Sequence, residues 1–348
     1  MISKKNTGNT IVDIARALDI SPSTVSRALK DHPYISQATK DRVKKQAAKM
    51  GYRHNALAAG LRNRKSNTIG LICPRISMYF QSSIVTAIQR KVQEAGYSLV
   101  ICQTNDSYEI EKQVVNALYA SRVEGLIASC TLHTEDFSHF DIFSKSGIPL
   151  VFYDRVPRSY PAQVIRGDDY RGGTEGAEHL ISRGCKQIVY ISGPLTCNLY
   201  QDRYAGFKDA LQRHKLPLPK KNLFFHELTL ENARRTCERI FSKKPWPDAI
   251  FATNDTTAIV AEQYAREAGL KIPGDIKILG YSNDPRTEII DPALTSVEQF
   301  PAVMGEKAAD AVVELIRKKT QLKKTMPPII TPVELVVRAS TGGRMAGS

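Results

Sequence analysis

The strongest constraint on the fold is a stretch near the start of the chain, Ile11-Val-Asp-Ile-Ala-Arg-Ala-Leu18, followed by Asp19-Ile-Ser-Pro-Ser-Thr-Val-Ser-Arg-Ala-Leu29. Apolar residues at Ile11, Ile14, Ala15 and Leu18 fall at i, i+3, i+4 and i+7, the stripe of an amphipathic helix. The pattern breaks at Asp19-Ile20. Ser21 suits an N-cap, and Pro22 suits the first helical position, where its missing N–H would be unpaired anyway. The second helix turns Val25, Ala28 and Leu29 to one face. At about 100° per residue, Ser23, Ser26, Arg27 and Lys30 point the other way. Two short helices, a tight turn and a small polar face bearing an arginine predict a helix-turn-helix whose second helix enters a DNA major groove.

Charge supports that reading. Residues 1–67 hold eight Lys and six Arg against four Asp and no Glu, a net +10 of the chain's +14, and the remaining residues carry only +4. A basic head on a nearly neutral body is an electrostatic footprint of nucleic-acid binding. A third helix is expected from a cap at Ser36 to about Met50, with Val43, Ala47 and Met50 inward and Gly51 ending it. The loop before it contains Pro33. Three short helices make a small core, which DNA or a partner subunit would help to hold. In the linker, Asn55 caps a short helix through Leu61. Gly60 weakens it by about 1 kcal/mol against alanine. One or two turns are marginal alone in water, so this segment is expected to be helical only when something packs on it.

From Thr68 the pattern changes to strands alternating with helices. Strands are expected at 69–73, 97–103, 125–128 and 149–153, with helices at 82–95, through about 121 and before Gly147. The rhythm restarts after Asp168, with helices at 170–183, 200–214, 229–242 and 255–268 and strands at 187–192, 223–226, 249–252 and 276–281. Gly172-Gly173, after Asp168-Asp169, reads as a capped helix start. Such units in series predict parallel sheets covered on both faces. Two successive halves predict two lobes with a ligand cleft at the carboxyl ends of the strands.

Several classes find no support. No run approaches 18 apolar residues, so no membrane span is expected, and the polar start 1–9 lacks the apolar region of a signal peptide. The six cysteines (73, 102, 130, 185, 197, 237) form no C-x-x-C pair and read as free thiols of a cytoplasmic protein. No glycine-rich phosphate loop follows a strand, the Gly280-Tyr281 turn lacks the second glycine of a nucleophile elbow, and no His-x-x-x-His spacing suggests a metal. No cofactor, metal site or catalytic residue is therefore expected.

The residues Thr10-Ile-x-Asp-Ile-Ala15, Ile20-Ser21, Thr24-Val-Ser-Arg27, Ser36, Gly51-Tyr52 and Asn55-Ala-Leu-Ala-x-Gly-Leu-Arg62 together resemble the LacI/GalR family of bacterial transcription regulators. The resemblance runs over nearly the whole chain, to Leu335-Val-Val-Arg-Ala-Ser-Thr341. It implies that Pro22, Ser23 and Arg27 meet bases, with Thr10, Thr24, Ser26 and Asn55 completing the DNA-facing set. It also implies that Leu61, from a pair of hinge helices, wedges into the minor groove and kinks the duplex. His54 departs from the family's usual proline at the hinge entry. The short side chains of Pro22 and Ser23 leave most direct readout to Arg27, toward a guanine edge.

The resemblance further implies a body like the sugar-binding periplasmic proteins, with the chain crossing between lobes three times. The expected division is a head at 1–53, a hinge and linker at 54–67, a body at 68–341 and a tail at 342–348. Lobe 1 then takes about 68–167 and 297–331, and lobe 2 about 168–296 and 332–341. The last helix, 302–318, returns to the first lobe, and 333–339 ends in the second. Strand ends and the family pattern together propose Tyr79, Phe80, Asp154, Arg203, Asp255, Asn283 and Gln299 around an effector. The family's aromatic wall is missing near Leu228, and Ser282 replaces its usual Asp, so the ligand class stays open.

The expected function is a dimeric regulator, a repressor of a pseudo-palindromic operator, that senses a small polar metabolite such as a sugar. A purine- or nucleoside-responsive corepressed regulator and a sugar- or nucleoside-processing enzyme with a DNA-binding head are the alternatives. A periplasmic carrier is opposed by the basic head and the polar start. The absence of a heptad-patterned tail argues for a dimer over a tail-zippered tetramer.

Overall fold

The computed structural model describes residues 10–52, 66–320 and 324–343. The chain divides into two units between Ser66 and Asn67. The first unit holds α1 (Ile11–Leu18), α2 (Pro22–Leu29) and α3 (Gln37–Lys49). Each start has the cap the sequence requires. The Thr10 hydroxyl accepts from the Asp13 N–H at 3.3 Å, that of Ser21 from Thr24 at 3.1 Å, and that of Ser36 from Thr39 at 3.3 Å. Such caps contribute about 1 kcal/mol each. Asp19 ends α1 in the left-handed region (φ 55°), which turns the chain into α2. Ile14, Ala15, Val25, Ala28, Val43 and Ala47 are the buried centre, with Leu18, Leu29, Met50 and Tyr52 packed around them.

The second unit contains two sheets of six strands. The first lobe is built from β1 (Thr68–Cys73), α4 (Tyr79–Glu94), β2 (Ser98–Gln103), α5 (Tyr108–Ala120), β3 (Gly125–Ala128), α6 (Asp141–Lys145), β4 (Leu150–Tyr153) and β5 (Gln163–Gly167). The second takes α7 (Asp169–Ser182), β6 (Ile188–Ser192), α8 (Asn198–Arg213), β7 (Leu223–Phe225), α9 (Leu230–Phe241), β8 (Ala249–Ala252), α10 (Asp255–Glu267), β9 (Lys277–Tyr281), α11 (Arg286–Ile289) and β10 (Thr295–Glu298). Then α12 (Pro301–Lys318) and β11 (Ile329–Thr331) return to the first lobe, and β12 (Glu334–Val336) closes the second. Strand orders are β11-β5-β4-β3-β1-β2 and β12-β10-β9-β8-β6-β7. Every pairing is parallel except β12 on β10.

Both faces of each sheet are covered, as parallel sheets require. In the first lobe Ile69 and Leu71 pack on α4 and α12 from one face. Ile72 and Leu126 meet Phe140 and Phe152 on the other. The sequence reading missed β5, β10 and β11, which have five residues or fewer. Because β10 ends at Glu298 in the second sheet, the chain re-enters the first lobe after that residue, within two residues of the expected boundary. Five of the six cysteines are buried, and all six are free.

In the second lobe, α7 and α8 approach so closely that glycine is obligatory at the contact. A Cβ on Gly173 would lie 2.1 Å from the Arg203 carbonyl oxygen, and one on Gly206 would lie 2.0 Å from that of Tyr170. The Gly172-Gly173 pair therefore does more than follow the Asp168 cap: Gly173 sets the distance between two helices. Gly173→Ala gains at most about 1 kcal/mol of helix propensity. Overpacking against rigid backbone costs about 1–3 kcal/mol. Net destabilisation in denaturant unfolding is the expected outcome, and unchanged or raised stability would show that the helices part freely.

Candidate functional site

Two regions gather the chemistry, one in each unit. In the first unit α2 turns Ser23, Arg27 and Lys30 outward, all exposed. Its N-terminus is held by hydroxyls: Ser21 Oγ lies 2.7 Å from Ser23 Oγ and 2.8 Å from Thr24 Oγ1. Among the described residues Arg27 makes no side-chain hydrogen bond or ion pair, so its guanidinium is free. Ser26 is half-buried, Pro22 is exposed at the first helical position, and Thr10 is committed to a reciprocal cap with Asp13. Asn55 and Leu61 lie outside the described residues.

The second region lies between the lobes, at the carboxyl ends of the strands. Asp154 and Arg155 follow β4, Thr253 and Asn254 follow β8, Ser282 follows β9 and Gln299 follows β10. From helices, α4 adds Phe80 and Gln81, and α8 adds Leu199, Tyr200 and Arg203. With Met78 these residues line a cavity of about 40 Å³. Arg203 is 4 % exposed, and each of its three guanidinium nitrogens donates one hydrogen bond. Its Nε donates to Asp169 Oδ1 at 2.8 Å, Nη1 to the Thr253 carbonyl at 3.1 Å and Nη2 to Gln299 Oε1 at 2.8 Å. The guanidinium also lies 3.6 Å from the centre of the Tyr281 ring. Gln299 passes the chain on, donating to Ser282 Oγ at 3.0 Å.

On the facing lobe, Gln81 Nε2 donates to Asp154 Oδ2 at 3.0 Å and Tyr153 donates to Gln81 Oε1 at 3.1 Å. Asp154 is buried in the left-handed region (φ 59°), and burial pushes its carboxyl up to about 6. Arg155 pairs with Asp106, which also takes Arg75 at 3.0 Å. The lobes touch along a seam. The Val156 N–H donates to Asn198 Oδ1 at 2.9 Å, and Asn198 Nδ2 to the Asp154 carbonyl at 3.2 Å. His133 meets Glu227 at 2.8 Å, Arg166 pairs with Asp202, and Leu132 packs against Leu199 and Tyr200.

Of the seven residues expected around an effector, Phe80, Asp154, Arg203 and Gln299 meet at this cavity, and three do not line it. Tyr79 is the first residue of α4, three residues earlier than the expected helix start, and points outward at 38 % exposure. Asp255 lies behind the wall, accepting from the Asp284 N–H at 2.8 Å and from Ser296 Oγ at 2.6 Å. Its neighbour Asn254 caps α10 and lines the cavity instead. Asn283 is spent on Glu298 and Arg338, at 2.8 Å each. The expected seven did not include the other lining residues, among them Gln81, Arg155, Tyr200, Asn254 and Ser282. Tyr200 stands three before Arg203 on one helix, a spacing that could have flagged it. Among the described residues no group of side chains could hold a metal ion, and no helix is long and apolar enough to cross a membrane.

A three-helix unit with a free arginine on its second helix, joined to a two-lobed α/β body with a polar cleft, defines a DNA-binding regulator with a ligand-sensing body. Residues 10–55 match the bacterial regulatory proteins of the lacI family, and residues 177–341 match a periplasmic binding protein-like domain. The HTH-type transcriptional regulator DegA of Bacillus subtilis is 31% identical over 333 residues, covering 95% of this chain and 98% of DegA. The HTH-type transcriptional repressor PurR of Vibrio parahaemolyticus is 28% identical, covering 94% and 97%. The lac repressor dimer bound to operator and the anti-inducer ONPF superposes with a TM-score of 0.85 at 25% identity, over 96% of this chain and 99% of that one. The chain belongs to the lacI family and is an effector-controlled, DNA-binding transcription regulator.

The raised carboxyl of Asp154 has a measurable consequence. The folded protein holds that proton up to about pH 6, whereas an unfolded chain releases it near 4. This group therefore favours folding in acid, and its contribution is lost as pH rises through 6. Two pK units correspond to about 3 kcal/mol. Asparagine tolerates the left-handed backbone and still accepts from Gln81. Asp154→Asn is thus expected to stabilise the protein more at pH 8 than at pH 4, by up to about that amount. Urea unfolding of both proteins at the two pH values measures it, and an equal difference at both would refute the assignment.

Proposed function

We propose that the chain is a homodimeric cytoplasmic repressor that reads a pseudo-palindromic operator through α2 and senses a small polar metabolite, most simply a sugar, between its lobes. The observation that carries the reading is the cavity wall. It combines a carboxylate (Asp154), guanidinium groups (Arg155, Arg203), amides and hydroxyls with the rings of Phe80 and Tyr200. Convergent polar groups beside aromatic faces suit a ligand with hydroxyls on an apolar ring, and unpaired site groups reject analogues lacking those hydroxyls. Asp154 is the one carboxylate among the lining residues, so a general acid–base pair has no second member there, which favours sensing over catalysis.

The cavity of about 40 Å³ is far below the roughly 300–1,000 Å³ of small-molecule sites. Ligand entry therefore requires the lobes to part along the Asn198 seam. In this reading the change in lobe geometry reaches the linker, where Asn55–Leu61 fold as paired hinge helices and Leu61 enters the minor groove.

Two experiments test the two halves. Arg27→Ala is expected to weaken operator binding by about 1–3 kcal/mol and to relax preference at one base position in each half-site. Equal loss on operator and random DNA would make Arg27 a phosphate contact. For the cleft, a thermal-shift screen of monosaccharides, nucleosides and purine bases identifies the class. A true effector at 100 times its Kd stabilises by about 2.7 kcal/mol. A shift from a base alone would replace the sugar reading with the purine one. Any shift retained by Arg155→Ala combined with Phe80→Ala would place the ligand elsewhere.

A further inference from the structure

The second lobe carries another concavity, formed by α8, the loop after it and β7, with a volume of about 640 Å³. Its floor is apolar. Leu211 is buried beneath it, while Tyr204, Leu216, Leu218 and Leu223 are half-exposed along it. Phe225 extends the strip: it is 37 % exposed, with its ring edge-on to Tyr204 at 5.3 Å. The floor also runs alongside β7, an edge strand paired only with β6. An exposed apolar edge is normally protected, because it invites association.

The rim is basic and unsatisfied. Lys208, Lys215 and Lys220 line the groove, are exposed, and make no ion pair among the described residues. The neighbouring acids are already committed. Glu178 takes Arg213 and His214, and Asp209 takes the Tyr170 hydroxyl at 3.0 Å. Three free ammonium groups around a preformed apolar floor repel a second copy of the same surface and complement carboxylates.

We propose that this groove docks an acidic, amphipathic segment of a partner protein, which lays leucine- or phenylalanine-bearing turns on the Tyr204–Phe225 strip and sets carboxylates against the three lysines. The floor supplies affinity, and the rim supplies orientation and association rate. The site is placed to be heard at the cleft. Tyr204 follows Arg203 on α8, and the same rigid helix presents Tyr200 to the effector cavity and Lys208 to the groove. A partner on the groove and an effector in the cleft therefore act on one element, the requirement for coupling between two sites.

The test uses full-length protein and a fluorescein-labelled helical peptide of about four turns, with Leu and Phe at i, i+3, i+4 and i+7 and Glu elsewhere. Saturable anisotropy that weakens with salt is expected, and combined Lys208→Glu, Lys215→Glu and Lys220→Glu should weaken it about tenfold or more. Phe225→Ser, which removes an exposed ring, should weaken it separately. A peptide of the same composition in scrambled order, and oligoglutamate of the same length, should bind far less. Equal binding by either control would reduce the site to a nonspecific basic surface and overturn the proposal, as would unchanged binding by the lysine variant. Melting temperature and operator binding of each variant confirm that its fold is intact.

Discussion

Arg203 is the interaction on which the body depends. One guanidinium, withdrawn from water, joins the start of α7 through Asp169, the end of β8 through the Thr253 carbonyl and the crossover after β10 through Gln299, and it covers the Tyr281 ring. Burying a charge is unfavourable unless it is paired and its donors are met, and here the charge is paired with Asp169 and three donors are met, with an aromatic face against the guanidinium plane. Arginine can do this because its donors form a rigid fork with a flat face, where a lysine would offer a single point charge. The glycine contacts belong to the same arrangement. Gly173 lets α7 rest on the backbone of Arg203, so the helix carrying the arginine stands where its fork can reach three partners.

The cleft is built against stability. Burial pushes the carboxyls of Asp154 and Asp255 up to about 6, so both are held ionised near neutrality only at a cost. The two are offset differently. Asp255 receives an N–H and a hydroxyl and ties the loop after β9 to β10. For Asp154 the one side-chain donor is Gln81, which leaves acceptor capacity facing the cavity. In the proposed site, that spare capacity is what a ligand bearing donors would meet. The two buried acids differ in how many donors the protein itself supplies.

This contrast also marks what the sequence could and could not disclose. In the head, α2 and α3 were legible from their caps, Ser21 and Ser36, and α1 from its apolar stripe, its Thr10 cap emerging only in the structure. At α4 the cap position is Met78, which has no hydrogen-bonding side chain, so Ser82 looked like the start and Tyr79 was assigned to a loop facing the cleft. At α10 Asn254 is the cap and lines the cavity, one position before the Asp255 that was expected there. Short strands were missed because β5, β10 and β11 are recognisable only by the sheets that recruit them, β11 pairing with β5 more than 160 residues away in the chain. Asn283 was lost to Arg338, a partner that local patterning cannot bring into view. Of the four cleft residues that were found, Asp154 follows a patterned strand, Arg203 sits in a helix motif, Phe80 lies in the stretch after β1 and Gln299 falls on a crossover loop. The others needed three-dimensional neighbours.

How far a small molecule could tip the two lobes follows from the seam. Three short crossings, after Gly167, Glu298 and Thr331, tie the lobes together and leave a hinge as the cheap relative motion. Across the seam run two hydrogen bonds of Asn198, a His133–Glu227 contact, Arg158 and Arg166 on Asp202, Arg158 on Gln201, Thr196 on the Leu132 carbonyl and the Leu132 cluster. Neutral hydrogen bonds contribute about 1 kcal/mol net, and partly exposed ion pairs about 0–1. Closure is thus held by a few kcal/mol. Moving a two-state equilibrium from about 1:99 to 99:1 takes about 5.5 kcal/mol of differential binding. That lies within reach of a ligand meeting Asp154 and Arg155 in only one arrangement. A stiffer seam would deafen the protein to its effector, and a looser one would leave it nothing to switch.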